Sequence, residues 1–150
     1  MGLRAERAYE YFKSGYNCSQ AVFLAFCDKY GFDDETAARL ASSFGGGMGR
    51  MREVCGAFSG MLLVNSMETG SADISDYEAK KANYESVQRL AKRFREENGS
   101  IICRELLGLT EKQKNEEKAA PEKRTEAYYK KRPCAEIVKS AAEILEETFK

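Results

Sequence analysis

Cys18, Cys27, Cys55, Cys103 and Cys134 carry the strongest nucleophilic and soft-ligand chemistry in this chain, because histidine is absent from it. The missing imidazole removes zinc sites with histidine ligands, Ser-His-Asp and Cys-His catalytic arrangements, and haem held by a proximal histidine. What remains is thiolate chemistry: metal or iron–sulfur ligation, electron transfer, or disulfide exchange. No two cysteines have CxxC spacing, so a shared site has to be assembled from separate segments.

Four of the five stand where the pattern predicts a helix to begin. Asn17 is a cap before Cys18, Cys55 follows the glycine-rich run at 44–51, Ser100 is a cap before Cys103, and Pro133 precedes Cys134. A helix N-terminus carries about half a positive charge and unpaired N–H groups, which favour thiolate over thiol and suit an anionic metal centre. Arg50, Arg52, Arg104, Lys130, Lys131 and Arg132 lie near these cysteines in sequence and could offset the charge of several thiolates. In a chain that is 32% charged, such neighbours also arise without function. Cys27 lies about half a helical turn away from Cys18 and is read as a core residue.

The elements that must position these residues are predicted to be helical. Ala5, Ala8, Tyr9 and Phe12 recur at helical spacing up to Gly15, and a second helix carries Ala21, Val22, Leu24, Ala25 and Tyr30 to Gly31. Asp33 or Asp34 caps a third helix over 35–43. The run FGGGMGRM at 44–51 is too rich in glycine for regular structure and predicts a tight, specifically shaped loop. It is not a nucleotide loop: no strand precedes it, Arg50 stands where the last glycine of GxGxxG would be, and no GK[ST] follows. Gly45, Gly46, Gly47 and Gly49, with Gly56 beyond them, are instead read as places where backbone approaches a cofactor held by the cysteines, or simply turns.

A fourth helix over about 53–68, with Gly56 and Gly60 on one face, is expected to be central and most buried. Ser75 and Glu78 form a capping box that opens a long helix to about 97, with Tyr84, Val87, Leu90, Ala91 and Phe94 as its apolar stripe. A short helix runs from Ser100 through Cys103, Leu106 and Leu107 to Gly108, and the charged segment 111–132 reads as a solvated helix or an ordered loop. The last helix, 134–149, has the stripe Ile137, Val138, Ala141, Ile144 and Leu145. Met48, Met51, Tyr128 and Tyr129 are read as packing residues. The expectation is an all-α, single-domain bundle over 1–150, with about six to seven helices and a glycine-rich loop before a central buried helix.

The totals narrow the function classes. At 150 residues, with 43% apolar and two prolines, one domain can bury a real core without disulfides. Lys+Arg and Asp+Glu balance at 24 each, so no long-range field draws the chain to nucleic acid or to an anionic membrane. The start MGLRAER has no apolar signal stretch, and Glu6 stands at the usual Ser/Thr position of a myristoylation motif, so a cytoplasmic protein is expected. In that reducing compartment, cysteines point to metal binding or catalysis more than to a disulfide framework.

The strings GYNCSQAV at 15–22, FGGGMG at 44–49 running into VCGAFSG at 54–60, CRELLG at 103–108, and Cys134 resemble the family named from its pattern C_GCAxxG_C_C, over nearly the whole chain. Val54 stands where the family name writes glycine, so the match rests on Cys-Gly-Ala-x-x-Gly. The resemblance implies redox activity and places the family's four cysteines on Cys18, Cys55, Cys103 and Cys134. A similar domain occurs beside haems in split-Soret type cytochromes, but no CxxCH attachment site exists in this chain, and haem is not expected.

The leading expectation is that Cys18, Cys55, Cys103 and Cys134 ligate an iron–sulfur cluster or a single iron or zinc ion. The protein would then transfer electrons or sense redox state with a separate redox partner protein; a homodimer is compatible with this. A second reading is a metal-free thiol/disulfide oxidoreductase in which Cys55 attacks a disulfide or peroxide. A third is a helical interaction or scaffold protein whose cysteines only pack.

Overall fold

Among residues 2–150, which the computed structural model describes, nine right-handed α-helices form. They are α1 (Leu3–Lys13), α2 (Cys18–Leu24), α3 (Asp34–Ala41), α4 (Gly56–Thr69), α5 (Tyr77–Asn98), α6 (Cys103–Leu106), α7 (Glu111–Asn115), α8 (Glu126–Lys131) and α9 (Cys134–Thr148). Three of them, α6 to α8, are only four to six residues long, so the substantial helices number six. The chain is an all-α bundle.

Helix α4 is the axis, with Gly56–Met61, Val64 and Asn65 buried. Its glycines act by what they lack: a Cβ at Gly60 would sit 2.8 Å from the Ser19 carbonyl oxygen and 2.9 Å from Val22 Cβ. Bare backbone therefore lets α2 cross α4 in close contact. Ala5, Ala8 and Phe12 form the buried face of α1, which packs chiefly on α9. The α1 N-terminus has no cap of its own; the Glu146 carboxylate on α9 accepts from Arg4 N at 3.3 Å and Ala5 N at 3.1 Å. Phe12, Phe23, Phe26, Met61 and Phe94 fill the centre, each side chain contributing about 1.5–3 kcal/mol on burial.

Three elements depart from the sequence pattern for identifiable reasons. The second helix does not continue to Gly31: it ends at Leu24, and a 3₁₀ turn, Cys27–Tyr30, follows. Every residue from 21 to 27 is buried. A straight helix turns only part of its circumference to a core, and the tighter turn admits the whole run. The central helix begins at Gly56, not near 53, because residues 53–55 are held in extended pairing.

The cap of α5 is Asp76, which accepts from Ala79 N at 2.9 Å, while Ser75 hydrogen-bonds Asp73. The buried face of α5 runs through Ser86, Leu90, Ala91 and Phe94 and leaves Tyr84 58% exposed. Polar contacts turn it this way: Ser86 Oγ donates to Asn65 Oδ1 and Asn83 Nδ2 donates to Thr69 Oγ1, both on α4. The charged segment 111–132 is neither one helix nor one loop. It holds α7, capped by Thr110, and α8, capped by Thr125, with an irregular connection at 116–125.

Candidate functional site

The glycine run is a left-handed turn. Gly46, Gly47, Met48, Gly49 and Arg50 have φ of 68°, 71°, 67°, 62° and 67°, and Arg52 follows at 61°. Met48, Arg50 and Arg52 carry side chains in this region, at a cost of about 1–2 kcal/mol each. Backbone bonds from Arg52 N to Gly46 O (3.2 Å) and from Glu53 N to Gly47 O (2.9 Å) hold the turn closed. A Cβ on Gly47 would sit 2.6 Å from Cys103 Cβ, so the bare backbone makes room for that cysteine.

Each of the four cysteines is fixed by backbone at a helix start. Cys18 is the first residue of α2, behind a complete Asn17/Gln20 capping box. Cys55 is the residue before α4 and donates its N–H to Ile101 O at 2.7 Å, while Cys103, first in α6, donates to Glu53 O at 2.6 Å. The antiparallel bridge between Val54 and Ile102 thus sets Cys55 and Cys103 on adjoining strips of chain. Cys134 opens α9 directly after Pro133.

Cys18, Cys55, Cys103 and Cys134 all line one cavity of about 410 Å³. Gly45, Gly46, Gly47, Gly49 and Gly56 form part of its wall. Cys27 lies elsewhere, in the core beside the Leu24 carbonyl and Asp34. Among the described residues, no three His, Cys, Asp or Glu side chains are grouped so that they could hold a metal ion as they stand.

Charged groups complete the wall. Arg52, buried, points Nη1 at Cys103 Sγ (3.6 Å) and donates Nε to Glu117 Oε1 (2.8 Å). Arg50 Nη2 donates to the other oxygen of Glu117 at 2.7 Å. From the far side, Arg124 donates to Phe12 O and Tyr16 O, both at 3.0 Å, with its guanidinium 4.3 Å over the Phe12 ring. Arg132 pairs with Glu122.

Sequence reasoning missed Glu117, Glu122 and Arg124, and it placed Tyr128 with packing residues although that ring lines the cavity. Nothing local marks them; they read as part of a solvated charged run. Arg52 and Arg132 do act on the cysteines, whereas Lys130 and Lys131 are exposed and Arg104 bonds Arg52 O and Glu53.

The thiols are electrostatically unequal. Hydrogen bonding between the Cys18 and Cys134 thiols lowers Cys134 and raises Cys18. Arg132, Arg52 and Arg124 also favour the Cys134 thiolate. Burial pushes Cys55 up to about 12, and burial raises Cys103 despite the opposing Arg52. Helix-start position alone does not lower a thiol pKa when water is excluded.

The fold is all-helical and gathers four cysteines from distant segments around one arginine-lined cavity. A family model described as "Putative redox-active protein (C_GCAxxG_C_C)" matches residues 16–148, and the chain belongs to that family. No curated protein and no solved structure matches it. Among the described residues, no helix is long and apolar enough to cross a membrane.

Proposed function

We propose that Cys18, Cys55, Cys103 and Cys134 hold an iron–sulfur cluster and that the protein transfers or senses single electrons through it. The observation that carries this reading is that all four cysteines, and not Cys27, line the same cavity. The donor set fits: four thiolates and no imidazole is the usual ligand set of [2Fe–2S] and [4Fe–4S] centres. A cluster distributes its ligands over several irons, so it does not ask four sulfurs to converge on one ion.

The chain's own residues would do three things. The N-termini of α2, α4, α6 and α9 favour negative charge on the sulfurs. Arg52 donates to Cys103 Sγ, the kind of contact that tunes a cluster's potential. Arg50, Arg52, Arg124 and Arg132 line the cavity, and with Glu122 in the wall and Glu117 bonded to Arg50 and Arg52 two positive charges remain, which offsets the net negative charge of a four-thiolate centre. When bound, the cluster supplies one-electron exchange with a redox partner.

The test is anaerobic purification with iron and acid-labile sulfide analysis and a visible absorption spectrum. Iron and sulfide in matched amounts, lost in Cys55→Ser, are expected. A folded, colourless protein free of iron after anaerobic reconstitution would refute the reading.

A second reading is favoured by the opposed shifts of the Cys18 and Cys134 thiols, which line the same cavity. In it the Cys134 thiolate attacks a substrate disulfide and releases one thiol. Cys18 then displaces the second, leaving a Cys18–Cys134 disulfide and two reduced substrate thiols. The lowered Cys134 thiol, against the raised Cys55 thiol, supports Cys134 as the nucleophile in this reading. Disulfide mapping after oxidation of the iron-free protein distinguishes the two readings.

A further inference from the structure

We propose that the paired guanidinium groups of Arg50 and Arg52 are a binding site for a small carboxylate with an apolar body, and that Glu117 occupies it until such an anion displaces it. The fork already fits a carboxylate: Arg50 Nη2 and Arg52 Nε hold the two oxygens of Glu117 at 2.7 and 2.8 Å. It also has a donor to spare, since Arg50 Nε is buried and has no hydrogen-bond partner. An orphaned guanidinium N–H out of water carries a desolvation cost that a second acceptor would remove.

Both arginines line the same cavity as the cysteines, whose volume of about 410 Å³ falls within the roughly 300–1,000 Å³ usual for small-molecule pockets. The rest of the wall sets the body of the ligand: Phe12, Leu106, Pro121, Tyr128 and Ile137 present apolar surface. Backbone strain also converges here, with φ of 67° at Arg50 and 61° at Arg52, and such strain persists only where surrounding structure over-determines it.

Glu117 is an occupant that can leave. It sits in the irregular connection after α7, and its N–H makes one backbone bond, to Lys114 O at 3.2 Å. An intramolecular carboxylate of this kind competes with a free one through its high local concentration. The inference goes beyond the redox reading, because the anion is held by arginines and does not require a cluster.

The experiment is isothermal titration of the full chain with sodium benzoate and, separately, with inorganic phosphate, repeated on Glu117→Gln and Arg50→Lys. Saturable benzoate binding is expected, on the order of tenfold tighter in Glu117→Gln as the internal competitor is removed. In Arg50→Lys it should weaken by about tenfold or more as the planar fork is lost. Circular dichroism reports folding; if Glu117→Gln does not fold, the wild-type and Arg50→Lys comparison decides. Absence of saturable benzoate binding, equal binding in Arg50→Lys, or phosphate binding as tight as benzoate would each overturn the proposal. Iron assayed on the same samples after anaerobic reconstitution separates the outcomes: benzoate binding without iron sinks the cluster alone, and iron without benzoate binding sinks the anion site alone.

Discussion

At the scale of single residues, identical chemistry at four helix starts gives different thiols because their neighbours differ. Hydrogen bonding with Cys18, together with three nearby arginines, lowers Cys134, whereas burial holds Cys55 at about 12 and Cys27 at about 11. Iron-free protein treated with iodoacetamide at pH 7 should therefore lose Cys134 first, and Cys55 and Cys27 last, when peptides are followed by mass spectrometry. Uniform modification of all five would contradict this. The same shifts set the alkaline stability of the iron-free chain. Cys18, Cys27, Cys55 and Cys103 are raised in the native state, so the unfolded chain loses its protons first, above about pH 9. Their stabilisation is complete below that pH and lost as pH rises toward the native values. Cys134 acts oppositely, its share being lost as pH falls below the ordinary thiol range. The urea midpoint should fall progressively above pH 9, and less steeply in Cys27→Ala; a flat alkaline limb would refute the assignment.

At the scale of elements, legibility followed the kind of contact that sets each one. The starts of α2 and α9, and hence the places of Cys18 and Cys134, were readable because Asn17 and Pro133 act within a turn of the residues they position. Gly56 and Gly60 were readable as close-approach points because a missing side chain has little other use in a buried helix. The face of α5 was misjudged by Tyr84, since the apolar pattern carries no trace of the Ser86–Asn65 and Asn83–Thr69 bonds that orient the helix. Its start was misjudged by one residue because Ser75 and Asp76 are both good caps, and only the chain's path decides between them. Asp76→Ala should cost about 1 kcal/mol through loss of the bond to Ala79 N, and Ser75→Ala less than about 0.5 kcal/mol. Thermal unfolding should show this as a fall of roughly 2–4 °C in Tm for the first and little for the second. Equal effects would return the cap to Ser75.

At the scale of the whole molecule, the segment 116–132 is a strap that closes the cysteine cavity, and the sequence did not reveal it because its fastenings are long-range. Glu117 meets Arg52 across 65 positions and Arg124 meets Phe12 O across 112, separations at which no local pattern operates. The connection 116–125 has no regular structure of its own, so side-chain anchors, not helix or sheet bonds, keep it in place. Segments fastened in this way open at lower free energy than the core. Arg124 is the anchor with the most attachments, giving two carbonyl bonds and a ring contact with Phe12, 4.3 Å from its guanidinium. Arg124→Ala should therefore raise amide hydrogen exchange across 116–132. The buried faces of α4, α5 and α9 should keep their protection, since none of them depends on Arg124 for packing. If exchange rose equally in those helices, the strap would be part of the cooperative core; if it did not rise in 116–132, Arg124 would not be what holds the cavity closed.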